Sequence, residues 1–375
     1  MAAPSETYVD PSIAANSGTG TIGDPYGDLQ YALDTMTRDS TNGDRINIKS
    51  GTAEVLTGSL DFTTYGTIAR TSPLLLEGYD STAGDGGIGG IDGNAGNFSI
   101  ISSNPPFMGL KRLKLFNTGT AVVLSINRHM RVDECEITES STGGVLGAND
   151  LTQVIRCYIH NIAGYGVQLM NDVTYCYFAN GSTNKFTSAV VGTGTSVQTK
   201  VINCFFNLDS TSNAINVGFN IYNQNNSILS NAGTGYGILS YRLPQHIVNN
   251  LIEGFSGTGG VGISVSESDT FAHDNAIYDC ATDISLAANC DVLPGQTNES
   301  LSASPFAKTG SLPTDFTSAT FWSDLYAYFA PVDTGNVYSG YPSGSNQTKG
   351  AVGQPVGGGA GGGLLRVNLN GNVFG

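Results

Sequence analysis

Four octets in the chain nearly repeat, and each carries a cysteine at its fourth place. VDECEITE, VIRCYIHN, VTYCYFAN and VINCFFNL supply Cys135, Cys157, Cys176 and Cys204. Thiols at regular spacing can hold a metal, exchange disulfides, or mark one position of a repeating fold. Acidic and basic groups stand nearby. VDECE brings Asp133, Glu134 and Glu136 together, and Asp172 follows in a different register. Closely placed carboxylates are what glycoside hydrolysis requires, but these read as solvated surface groups. His160, His246 and His273 sit at different places relative to the octets. No Ser–His–Asp order and no phosphate loop is present.

The elements that must carry these residues emerge from the period. Anchored on the cysteine, the series reads Leu113, Cys135, Cys157, Cys176, Cys204, Asn226, Asn250, Asn275, with steps of 22, 22, 19, 28, 22, 24 and 25. Two residues after each anchor comes an apolar one, from Leu115 and Ile137 to Ile252 and Ile277. That is strand alternation with one face buried. A second series keeps the same period, from Ala121 in AVVL through Gly144, Gly166 and Ala189 to Asp283 in DISL. Two ladders in step, with slack only in the loops, define an all-β parallel β-helix whose turns bury their apolar faces on one another.

The cysteines then stack along one inward line, with rungs about 4.8 Å apart. Asn226, Asn250 and Asn275 continue the line as an amide ladder. Thiols packed as small apolar groups are the expectation. Parallel side chains give a poor disulfide dihedral, and the absence of CxxC with no open path argues against zinc. No metal is expected, and Cys280 and Cys290 fall outside the series. The residues flanking the anchors point outward: Arg156, Tyr158, Tyr175, Tyr177 and Phe205. As a strip they suit a sugar or a protein partner, unless a loop such as the insertion between Cys176 and Cys204 covers them.

Composition bounds the partners. Among 375 residues 50 are Gly, only 13% are charged, and the net charge is −15, which disfavours nucleic acid. No apolar run approaches the roughly 20 residues of a membrane span, and MAAPSETYVD shows no signal peptide. Leu29, Ala32, Leu33 and Met36 have helical spacing behind Asp28, which predicts a capped helix over the first rung. The expected divisions are an N-terminal segment with this helix (1–42), the coil (43–300), a closing segment (301–354), and a Gly-rich hinge with a terminal strand (355–375). In that last strand Leu365, Val367 and Leu369 alternate with polar residues. With Leu364 and Phe374 they make an assembly tail able to add to a sheet edge.

YVDPSIAANSGTGTIGDPYGDLQYALDTM followed by GDRINIKSGT resembles the N-terminal segment of right-handed parallel β-helix proteins of the pectate-lyase-like superfamily. SPFAKTG, a Phe-rich stretch and GAVGQ resemble the segment that closes many such chains. The superfamily includes lyases, glycoside hydrolases, epimerases, phage tailspikes and structural surface proteins, so the resemblance implies a fold rather than an activity. For a lyase it implies a cation or Arg to neutralise a uronate and a basic proton acceptor. YRLPQH offers Arg242 and His246 and is similar to part of Arg-x-Pro-x-x-Arg, with Ile247 in place of the second Arg and without the calcium-binding Asp motifs.

The expectation from sequence is therefore a non-catalytic structural or surface protein: a spike, fibre, virion or surface-layer component. It would assemble through its sides and tail, outside the cell or on a virion. The alternatives are a polysaccharide lyase or other carbohydrate-active β-helix enzyme using Arg242 with calcium, and a glycan-binding adhesin using the aromatic strip.

Overall fold

The computed structural model describes residues 3–63, 72–102, 107–125, 129–147, 152–168, 172–192, 199–209, 211–218, 222–241, 245–266, 270–287 and 298–331. Arg242, Cys290 and everything from residue 332 onward, including the assembly-tail residues Leu364, Leu365, Val367, Leu369 and Phe374, lie outside them.

Parallel strands wind into a right-handed coil with three faces. Among the described residues the first sheet has eleven strands, from Ser5–Val9 to Phe271–His273. The second has eleven, from Ala53–Val55 to Glu299–Ser300, and the third has eight, from Ala121–Ser125 to Thr282–Leu286. One turn of the coil is Gln153–Ile155, Tyr158–Ile162 and Gly164–Gln168, one strand per face. Its inward residues stack on those of the next turn: Val154 on Val173, Ile159 on Phe178, Val167 on Val190. All six are essentially inaccessible. The sequence resolves two ladders where the structure has three. The valines three residues before each cysteine form a face of their own, because the chain turns between them.

That turn is made by one residue. Arg112, Glu134, Arg156, Tyr175, Asn203, Asn225, Asn249 and Asp274 all have φ between 51° and 58°. The left-handed region costs an L-residue roughly 1–2 kcal/mol, and Asn and Asp tolerate it best. The later rungs therefore use Asn and Asp. The earlier ones use Arg and Glu tied into ion pairs, Arg112 to Glu134 at 3.0 Å and Arg156 to Asp133 at 2.8 Å.

Inside the corner run the anchors. Asn226 donates to Val201 O and to Asn250 Oδ1, each at 3.0 Å, while its own Oδ1 accepts from Cys204 N. Asn250 and Asn275 repeat the pattern, and Asn298 extends it by a further rung. The thiols sit in the same places. Cys157, Cys176 and Cys204 point at Val132 O, Val154 O and Val173 O at 3.4–3.6 Å, and all four anchor cysteines are free and buried.

The helix α1 spans Leu29–Thr35, with the Asp28 carboxylate accepting from Tyr31 N at 2.6 Å. Leu29, Ala32 and Leu33 are buried in the same cluster as Ile46 and Ile48, and Met36 has left the helix. The first sheet opens before residue 43, since Ser5–Val9 pairs with Asp44–Lys49. At the other end, residues 301–331 fold back over the second sheet as a strap. It contains the helix α2, Phe321–Tyr328, and is closed at its base by Ala307 N to Ala330 O at 2.8 Å.

Candidate functional site

The strap decides the fate of the aromatic strip. Tyr158, Tyr177 and Phe205 do point outward from the second sheet, in register, yet they are 3%, 1% and 0% exposed. Phe321 lies 5.0 Å from the Tyr158 ring, and Tyr326 and Phe329 each lie 5.2 Å from Phe205. The surface expected there is an internal interface, covered by residues 301–331 rather than by the insertion between Cys176 and Cys204. Burial pushes the Tyr158 and Tyr177 phenols well up. Arg156 and the half-buried Tyr175 stand at the corner, with Tyr175 within electrostatic reach of the strap residue Tyr326.

Nor are Asp133 and Glu136 of VDECE solvated, while Glu134 is part-exposed. Glu136 and Asp133 are each 4% exposed. Glu136 is held by His160 Nε2 at 3.0 Å and Lys114 Nζ at 3.1 Å. Burial alone would raise its carboxyl, but the hydrogen bond to His160 and the Lys114 ammonium outweigh burial and hold it below the usual range. Asp133 takes Arg131 and Arg156 together, at 2.8 Å each. Through Glu134, Arg112 and Glu77 the ion pairs continue across the early rungs to Arg45 and Lys111.

Among the described residues, no strap covers the outer face of the first sheet. One row of side chains there is in strict register over seven rungs: Arg131, Gln153, Asp172, Lys200, Tyr222, His246 and Phe271. Gln153 Nε2 donates to Asp172 at 2.9 Å, and Lys200 Nζ lies 3.6 Å from the other carboxylate oxygen. His246 is stacked between Tyr222, at 4.9 Å and 9°, and Phe271, at 5.0 Å and 7°. Rings stacked along the coil axis turn their edges outward, so this part of the row offers solvent the Tyr222 hydroxyl and the His246 ring. Tyr222 is 44% exposed.

Of the residues singled out from sequence, Asp172 and His246 fall in this row. Each member lies four residues before an anchor, so the spacing was present in the sequence. An outward position carries no apolar requirement, however, and Arg, Gln, Asp, Lys, Tyr, His, Phe shows no pattern until the register is known. The row can donate hydrogen bonds, hold anionic groups through Arg131 and Lys200, and move a proton at His246. Calcium is the cation a lyase reading implies. Among the described residues no group of three or more His, Cys, Asp or Glu could hold a metal ion. The one carboxylate of the row is already engaged, so these residues do not fit such a site.

No family profile and no curated protein matches the sequence. Solved structures do match by shape. A pectate lyase, Pel9A, superposes with a TM-score of 0.53 at 13% identity over 94% of this chain and 97% of its own. A mannuronic acid specific lyase from human gut microbiota gives 0.49 at 14% identity over 75% and 66%. A rhamnogalacturonan lyase gives 0.46 at 11% over 82% and 91%. The fold is the right-handed parallel β-helix of pectate-lyase-like proteins; at these identities the likeness reaches the coil and not the chemistry.

Proposed function

We propose that this chain is a carbohydrate-active β-helix protein that holds a polysaccharide on the outer face of its first sheet, and that its chemistry is β-elimination from a uronate. The observation that carries this reading is the row from Arg131 to Phe271. Hydrolysis of a glycosidic bond takes two carboxyl groups, and the row has one, Asp172, already bonded to Gln153. Elimination takes a cation beside the substrate carboxylate and a proton acceptor. Arg131 and Lys200 are the cations. His246 and Arg242, four residues before it in the chain, are the acceptor candidates. The acceptor removes the proton from the carbon bearing the carboxylate, that electron pair forms a carbon–carbon double bond, and the glycosidic oxygen leaves with its bonding pair and is protonated. The pectate lyase likeness supports the reading at the level of fold. Local cations also answer the net charge of −15, which opposes an anionic polymer at long range.

A substrate polymer goes with an extracellular or surface location. No helix among the described residues is long and apolar enough to cross a membrane. The non-catalytic spike or surface-component reading drew on the missing catalytic motifs, the sparse charge and the tail strand; the tail, residues 355–375, lies outside the described residues, and the pectate lyase likeness supports the carbohydrate-active alternative instead. Incubating the chain with pectate, alginate and other uronate polymers tests the proposal through the ultraviolet absorbance of the unsaturated product. His246→Ala and Lys200→Ala should each lower kcat/KM by on the order of 100-fold. If no uronate polymer yields unsaturated ends, elimination is abandoned.

A further inference from the structure

The third sheet has an outer face unlike those of the other two. Its eight strands carry one charged residue, Asp283 in the last of them. The first sheet has Arg131, Asp172 and Lys200 on its strands, and the second has Lys114, Glu136 and Glu253. In the third, Val123, Val145, Val167, Val190, Ile215, Ile238 and Ile263 point inward and are at most 1% exposed. The next residue on each strand therefore faces out. The result is a row in strict register: Leu124, Leu146, Gln168, Val191, Asn216, Leu239, Ser264. All but Val191 are part-exposed, and Val191 is recessed between Gln168 and Asn216.

The middle of this row has the same pattern in both directions. Leu146, Gln168, Val191, Asn216 and Leu239 run apolar, amide, apolar, amide, apolar. We infer that this face joins two copies of the chain across a two-fold axis through Val191, with the coils antiparallel. Such a contact sets residue i on residue j and j on i. Leu146 meets Leu239 of the second copy, Gln168 meets its Asn216, and Val191 meets its like. Apolar groups then cover apolar ones, and each amide offers the other a donor and an acceptor. A slip of one rung either way would put a leucine on an amide, so the pattern fixes the register too. Charge identifies the partner. Each copy has a net charge of −15, and copies repel at long range. A face without charges lets them meet with no ion to desolvate, and depletion of charge at the centre is the compositional mark of protein interfaces. The size is sufficient. Seven rungs at about 4.8 Å, crossed by strands of about 16 Å, give a footprint of about 540 Å² per copy. The total of about 1,100 Å² clears the roughly 1,000 Å² that a specific interface needs. The row from Arg131 to Phe271 lies on a different sheet, so a polysaccharide and a second copy do not compete for one surface.

The test is sedimentation velocity of the full chain from micromolar to millimolar concentration. The unaltered chain should pass from monomer to dimer. Leu146→Glu and Leu239→Lys should each raise the dissociation constant by on the order of 100-fold or more, because each buries an unpaired charge twice, once on either side of the axis. Both changes in one chain should bring the constant back to within about tenfold of its original value, since each introduced carboxylate then faces an introduced ammonium of the second copy. Circular dichroism and thermal unfolding of all three variants establish that the coil is intact. A chain that stays monomeric throughout, or a dimer that survives Leu239→Lys, overturns the interface. If the folded double variant fails to regain the dimer, the antiparallel pairing is overturned, because coils side by side in parallel would set like charge on like. Each of these outcomes leaves the carbohydrate reading untouched.

Discussion

At the anchor position the coil must satisfy the same backbone groups at every rung, and two residue types do so to different degrees. The carbonyl three residues before each anchor faces inward, as does the anchor N–H. An asparagine of the next rung meets both, as Asn250 does for Asn223 O and Asn226 N at 3.0 Å each. The thiol of Cys204 meets only the carbonyl, Val173 O at 3.4 Å. Asn250→Ala should therefore lose about 3 kcal/mol, since buried groups left unpaired cost roughly 1–3 kcal/mol each. Cys204→Asn should be accepted and raise stability by about 1 kcal/mol through a new bond to Cys176 N–H. Urea midpoints measure both. An Asn250→Ala chain as stable as the original would remove the ladder from the account. Burial drives the Cys135, Cys157 and Cys176 thiols well up, so the thiolate that reacts or ligates is suppressed in the folded coil.

The strap covers the second sheet, the N-terminal helix packs its buried face into the core, and each has its own test. The strap is held by Phe321, Leu325 and Phe329, all at most 1% exposed, and by Glu253, which pairs with Lys308 at 2.5 Å and accepts from Ser304 at 2.6 Å. Phe321→Ala should cost about 3–5 kcal/mol and loosen the strap before the coil. Proteolysis within residues 301–331 should then accelerate and a hydrophobic dye should bind over Tyr158. An unchanged cleavage rate would mean that the strap is held elsewhere. At the N-terminal helix, Glu54 is 7% exposed and lies beside Asp28. Burial, helped by the Asp28 charge and opposed by the Leu29 N–H, pushes its carboxyl up from 4.5 to about 7. The folded state thus holds the proton more tightly than the unfolded one. Its contribution is fully present below about pH 4.5 and is lost as pH rises through about 7. Glu54→Gln should flatten that part of the stability–pH curve and be the more stable chain at pH 8, by up to about 3 kcal/mol. Parallel curves for the two chains would contradict the assignment.

Over the whole molecule, stability is passed from rung to rung, because each turn buries its apolar face only on its neighbours. A charge inside the coil should act locally first. Ile228→Asp, in the second sheet between Phe206 and Ile252, should remove hydrogen-exchange protection from several rungs on either side while the rungs around Ile46 keep theirs. Loss of protection everywhere at once would show the coil to be a single cooperative unit.

The sequence by itself determined the coil, its inward line and the packing role of the cysteines. Inward positions must be apolar or satisfy one another, and that demand writes a period into the chain that survives loops of unequal length. It missed Asn298, which keeps the spacing at 23 residues, because Ser300 rather than an apolar residue stands two places on. Only the tertiary structure decided which outward residues meet water. Tyr158 and His246 are both outward by register, yet Tyr158 is sealed by a helix more than 150 residues later in the chain, while His246 remains in an open row with Tyr222 and Phe271. Outward positions carry no burial requirement of their own. Their fate depends on which distant segment comes to lie over them, and no local pattern encodes that.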